Sequence, residues 1–111
     1  MLEVHITRSE DVVVILCKGR IVRSAAAFSL RDAVTQQRDA RVVLLDLSEV
    51  ESVEGGGLGM LVFLQRWTRD NGIELILFGP SNPVRKSLER ASSTSGFEIT
   101  PVKDELSLHA G

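Results

Sequence analysis

Leu2, Val4 and Ile6 alternate with Glu3, His5 and Thr7, a period of two that predicts a strand with one face buried. A second β-branched run, Val12 to Cys17, follows the turn-like Ser9-Glu10-Asp11, so the two strands are expected to form an antiparallel hairpin. The period then changes. Ala27, Leu30 and Val34 recur at helical spacing, with Ser24 placed to cap a helix that runs to about Arg38. Arg41 to Leu47 contains Val42-Val43-Leu44-Leu45, a continuous apolar run of the kind found in a strand covered on both faces. A second helix is predicted from Gly56 to Asp70, stopped by Asn71-Gly72, and a further central strand from Ile73 to Phe78. Asn82-Pro83 opens a third helix with Val84, Leu88 and Ala91 along one face. Ala91-Ser92-Ser93-Thr94-Ser95-Gly96 reads as a loop, Phe97 to Val102 as a last short strand, and Asp104 to His109 as a terminal helix.

Strands alternating with helices from Arg41 onward imply parallel pairing and right-handed crossovers, while the hairpin makes the sheet mixed. The expected fold is a small α/β domain, a mixed four- to five-stranded sheet with helices packed mainly on one face. Its 111 residues suit one domain, 1–111, with a modest core.

Composition mostly excludes. Thirteen Lys and Arg against fifteen Asp and Glu give a net charge of −2, which offers no broad electrostatic footprint for nucleic acid. One Cys and two scattered His, His5 and His109, cannot supply the usual ligand set of a zinc site, so no metal is expected. Cys17, at the end of an apolar strand, reads as a small buried hydrophobe. No basic patch followed by an apolar run opens the chain, and the stretch from Leu58 to Leu64 is too short to cross a bilayer. The expectation is a cytoplasmic domain with a reduced thiol and no membrane insertion. No nucleophile, base and acid fall into a recognisable arrangement, so neither enzyme activity nor a cofactor is expected.

The glycines carry more information than the charges. Four of nine, Gly55, Gly56, Gly57 and Gly59, fall within five residues at a strand-to-helix transition. Glycine permits positive φ and close approach, and a helix N-terminus favours an anion. Contact with a ligand, phosphate or partner is one reading; a tight turn that lets helix and sheet pack closely is the other. A dinucleotide fingerprint needs Gly at its sixth position, where this chain has Met60 or Val62 depending on the start, and no Walker-type Gly-Lys-Ser/Thr occurs. Farther along, Leu58, Leu61 and Val62 are expected to face the sheet, while Met60, Phe63 and Trp67 form a second apolar stripe. That stripe suits either a neighbouring helix or a docking surface, and it could also support a homodimer. Arg85, Lys86 and Arg90 make a small basic face on the third helix.

Asp46-Leu47-Ser48, followed by Val53-Glu54-Gly55-Gly56-Gly57-Leu58-Gly59-Met60-Leu61, resembles the signature of STAS domains, the family of bacterial anti-sigma factor antagonists. The family pattern is Asp-Leu-Ser, a short spacer, then Asp-Ser-Ser/Thr-Gly-Leu-Gly and an apolar helix. Gly19-Arg20-Ile21, the helix around Leu30 to Val34, Gly72, and Phe97 with Ile99 fit the same pattern in order. The resemblance implies a protein-binding module that engages an anti-sigma factor or serine-kinase-like regulator. Its partner-binding residues would be Glu54, Gly55, Gly56, Gly57, Leu58, Met60 and Phe63. The family's phosphorylated Ser position is Gly55 here, and the next hydroxyl position is Gly56. The family Asp is Glu54, and a second family acid is replaced by Val22. The phosphorylation switch is therefore lost at its usual address, with Ser52 a weak substitute candidate and Ser48 better suited to capping a turn. A small subunit of a lipid-transport ABC complex, paired with an ATPase subunit, resembles the same pattern, including a Gly-Gly after the acid. A nucleotide- or anion-binding sensor is the further alternative.

Overall fold

The computed structural model describes residues 2–22 and 24–100. The predicted hairpin forms from β1 (Leu2–Ser9) and β2 (Val12–Ile21), paired in unbroken antiparallel register from Leu2↔Gly19 to Ser9↔Val12. The turn residue Glu10 takes a left-handed φ of 57°. Val13, Ile15 and Cys17 are sealed from solvent and alternate with half-buried neighbours, as the period of two requires.

Helix α1 (Ala25–Thr35) starts where expected: Ser24 is extended and its hydroxyl accepts the Ala27 N–H at 3.3 Å. It ends three residues before Arg38. The polar run there turns back on the helix: the Thr35 hydroxyl donates to the Arg31 carbonyl at 2.9 Å and Gln37 Nε2 to the Ala33 carbonyl at 3.1 Å.

Strand β3 (Val42–Val53) is much longer than the predicted Arg41–Leu47. Its ladder with β2 shifts register between Leu16 and Lys18 and again between Gly19 and Arg20. Val50 is thereby buried out of phase with Val43, Leu45 and Leu47, and Val53 returns to their phase, an interruption that hides the second half of the strand from a period-two pattern. Helix α2 (Gly56–Asp70), β4 (Glu74–Phe78), α3 (Asn82–Ser95) and β5 (Glu98–Thr100) complete the order. Gly72, at φ 70°, makes the stop after α2. The segment Ala91–Ser95, predicted as loop, continues α3, and Gly96 at φ 63° ends it. The predicted helix Asp104–His109 lies outside the described residues.

The sheet order is β1-β2-β3-β4-β5, antiparallel at β1 and parallel elsewhere. Each parallel crossover steps the same way, so right-handed connections set all three helices on one face. Burial agrees. Val43, Leu45, Leu47 and Leu77 are fully buried beneath the helices, whereas Val14, Leu16, Leu44, Ile76 and Phe78 on the opposite face are only half-buried. The Val42–Leu45 run is therefore not covered on both faces among the described residues. Its apolar character reflects a central position in the sheet.

Candidate functional site

The glycine cluster stands where β3 hands the chain to α2. Residues 54–57 make a tight turn, closed by the Gly57 N–H donating to the Glu54 carbonyl at 2.9 Å. Gly55 has φ 52° and ψ −121°, a conformation that glycine adopts and L side chains rarely do. Gly57 answers a different constraint. A Cβ there would lie 1.9 Å from the Ile21 carbonyl oxygen, which itself accepts the Glu54 N–H at 3.2 Å. The end of β2 thus sits directly on the first turn of α2, and only a bare Cα fits beneath it. Gly59 is exposed, with open space around its Cα. Helix α2 starts without a side-chain cap and with no acid in its first turn.

Glu54, Gly55 and Gly56 are exposed, so the turn is offered to solvent. The inward face of α2 is Gly57, Leu61, Leu64 and Thr68, all buried. Leu58 and Val62, expected on the sheet, are half-buried on its flank instead. The predicted Met60-Phe63-Trp67 stripe divides. Met60 and Trp67 pack partly against the core, while Phe63 is 45% exposed. Phe28, on the neighbouring α1, is 48% exposed with the Arg31 guanidinium 5.1 Å from its ring centroid. Nothing in the hydrophobic pattern singles it out, because it falls beside the Ala27-Leu30-Val34 stripe.

A cleft of about 230 Å³ opens beside the turn, lined by Val53, Glu54, Gly55, Leu58, Ser87 and Arg90. It joins the glycine turn to α3, a juxtaposition no local pattern announces. Arg90 belongs to the basic face of α3, whereas nothing in the local pattern marks Ser87. The cleft is smaller than the roughly 300–1,000 Å³ of small-molecule sites, so its scale matches one or two protein side chains.

The nearby hydroxyls are differently placed. Ser48 donates to Asp46 Oδ1 at 2.6 Å, and its N–H donates to the same oxygen at 3.0 Å, so Asp46-Leu47-Ser48 is a self-contained turn of hydrogen bonds on β3. Ser52 is half-buried in the ladder opposite Arg20. On the helix-covered face, burial and then the Asp46 charge push the Cys17 thiol up to about 12. The residue is inert core, as expected. No group of three or more His, Cys, Asp or Glu among the described residues is arranged to hold a metal. No described helix is long and apolar enough to cross a membrane.

Residues 3–106 match the STAS domain family. The chain belongs to that family. The STAS fold here is similar to an anti-sigma factor antagonist from Mycobacterium paratuberculosis, with a TM-score of 0.79 at 19% identity over 99% of this chain and 93% of that one. It is also similar to the Bacillus cell fate determinant SpoIIAA in its phosphorylated form, with a TM-score of 0.75 at 16% identity over 97% and 98% of the two chains. A third likeness, to SLC26A9, has a TM-score of 0.73 at 15% identity and covers 90% of this chain but only 20% of that one. At such identities the likeness speaks for the fold. No curated protein matches the chain by sequence.

Proposed function

We propose that this STAS domain is a cytoplasmic anti-sigma factor antagonist that binds an anti-sigma factor or serine-kinase-like regulator and lacks the serine phosphorylation switch. It acts by contact and not by catalysis. The observation that carries the reading is the turn at Glu54–Gly57. The position that resembles the family's phosphorylated Ser is Gly55, held at φ 52° and ψ −121° where a serine would be strained. Phosphate would add nearly two negative charges beside an interface and block it by repulsion and desolvation. Without a hydroxyl at residue 55 or 56 the domain stays competent to bind. The exposed backbone of Gly55 and Gly56 allows close approach, Gly57 fixes the turn, Leu58 and Phe63 with the edge of Met60 supply apolar contact, and Glu54 sets the local charge.

The alternative phosphosites are poorly presented, since the Ser48 hydroxyl is engaged by Asp46 and Ser52 lies within a strand ladder. A photo-crosslinking residue in place of Phe63, used in the source cell, tests the reading. The expected crosslinked product is an anti-sigma regulator with an ATP-binding kinase-like domain, absent when the crosslinker replaces Glu74 on the opposite sheet face. A second reading, a subunit of a lipid-transport ABC complex, is favoured by the Gly-Gly pair directly after Glu54. Crosslinking at Phe63 to an ABC ATPase subunit would select it over sigma-factor regulation.

A further inference from the structure

Among the described residues β1 is the longer of the two edge strands, and its outer side pairs with no other strand. Natural sheets blunt their edges with short strands, Pro, Lys or bulges. The opposite edge, β5, follows that practice with three residues. β1 is protected less: it has eight residues, contains no Pro, Gly or Lys, has a ladder with β2 that runs without a register shift, and carries only Glu3 and Arg8 as full charges, Arg8 being paired with Asp39. Every second residue of such an edge strand turns its N–H and C=O away from its neighbour, toward an incoming strand. Ile6 on this edge is 48% exposed, one of three large apolar side chains so exposed among the described residues, although its ladder partner Ile15 is completely buried.

The edge is also self-complementary. In an antiparallel pair related by a two-fold axis, directly opposed residues share a sheet face, and only the residue on the axis meets its own copy. The axis can pass through Val4, His5 or Ile6. These three registers set Ile6 against Leu2, Val4 or Ile6 of the second copy, an apolar residue each time. They set Glu3 against His5, Thr7 or Ser9, never against another carboxylate. We propose that β1 pairs antiparallel with β1 of a second copy of this chain, making a two-fold dimer with one continuous ten-stranded sheet and Ile6 buried in the seam. The dimer leaves the α2 turn and its cleft on the outside, so each copy keeps its partner-binding face.

The test combines sedimentation with a cysteine scan. The unmodified domain is expected to sediment at twice the monomer mass at micromolar concentration. Ile6→Lys is expected to convert it to a folded monomer, because the site is already half open to solvent. Phe63→Asp, on the other candidate surface, is expected to leave the dimer intact. Opposed Cα atoms in such a pair lie about 4.5–5.5 Å apart, within disulfide range. Of Val4→Cys, His5→Cys and Ile6→Cys, one should therefore form a covalent dimer under mild oxidation, with Cys17 buried and silent. A monomer at all concentrations overturns the proposal. So does a dimer that survives Ile6→Lys, or one in which none of the three cysteines crosslinks.

Discussion

Gly57 and Gly59 stand two residues apart on the same helix turn and are under opposite constraints. A methyl group on Gly57 meets the Ile21 carbonyl oxygen at 1.9 Å, so Gly57→Ala must push β2 and α2 apart. The expected loss is about 1–3 kcal/mol in urea unfolding, the range of an overpacked core. Gly59 has open space, so Gly59→Ala should be neutral or stabilising by up to about 1 kcal/mol through helix propensity. Equal effects of the two substitutions would contradict the geometry. Cys17 makes a second residue-scale prediction. Below its ordinary value of 9.0 the thiol is protonated whether the chain is folded or not. Between 9.0 and about 12 only the unfolded chain ionises, so the folded state loses stability as pH rises. Comparing the pH dependence of unfolding for the unmodified protein and Cys17→Ala isolates that slope, about 1.4 kcal/mol per pH unit at most. Identical slopes would contradict the burial. The glycine cluster itself could be read in the sequence, and its packing reading holds at Gly57, whereas Gly55 and Gly56 form an exposed turn.

At the scale of elements, periodicity located the hairpin, α1, the start of α3 and the order of strands and helices. It failed where the ladder slips. Val50 belongs to β3 although it is out of phase with Val43, Leu45 and Leu47, because the β2–β3 register shifts between Leu16 and Lys18 and again between Gly19 and Arg20. It failed again at the Ser-rich end of α3, where composition suggested loop but the helix runs on to the stop at Gly96. The open face of the sheet has its own electrostatic consequence. Burial, then a hydrogen bond with Glu74 and its charge, raises the pKa of Glu98 on the adjacent strand. A carboxyl raised in the folded state favours folding while it is protonated and loses that advantage as pH climbs through its folded value. Glu98→Gln is therefore expected to raise the urea midpoint at pH 7 and to have a smaller effect at pH 4. A larger gain at pH 4 would show that the two carboxyls do not crowd each other.

For the whole molecule, a one-sided layer of helices leaves the glycine turn and its cleft at the C-terminal rim of the parallel strands. There β3 meets α2, and Ser87 and Arg90 reach the same cleft from α3. That convergence is invisible in the sequence because its two parts, Val53–Leu58 and Ser87–Arg90, are separated by most of α2, all of β4 and the start of α3. The family motif pointed to the turn, but only the fold separates the exposed Phe63 from Met60 and Trp67, which help to hold α2 on the core. Phe63→Ala should consequently leave stability nearly unchanged and weaken partner binding roughly tenfold or more, as an interface anchor does. With no hydroxyl at residue 55 or 56, partner binding is expected to proceed without a phosphorylation switch. The most direct test is calorimetric titration of the domain against the regulator captured at Phe63, before and after incubation with that regulator's kinase activity and ATP, with intact mass measured in parallel. Unchanged affinity and unchanged mass are expected; a phosphorylated domain that no longer binds would contradict the loss of the switch.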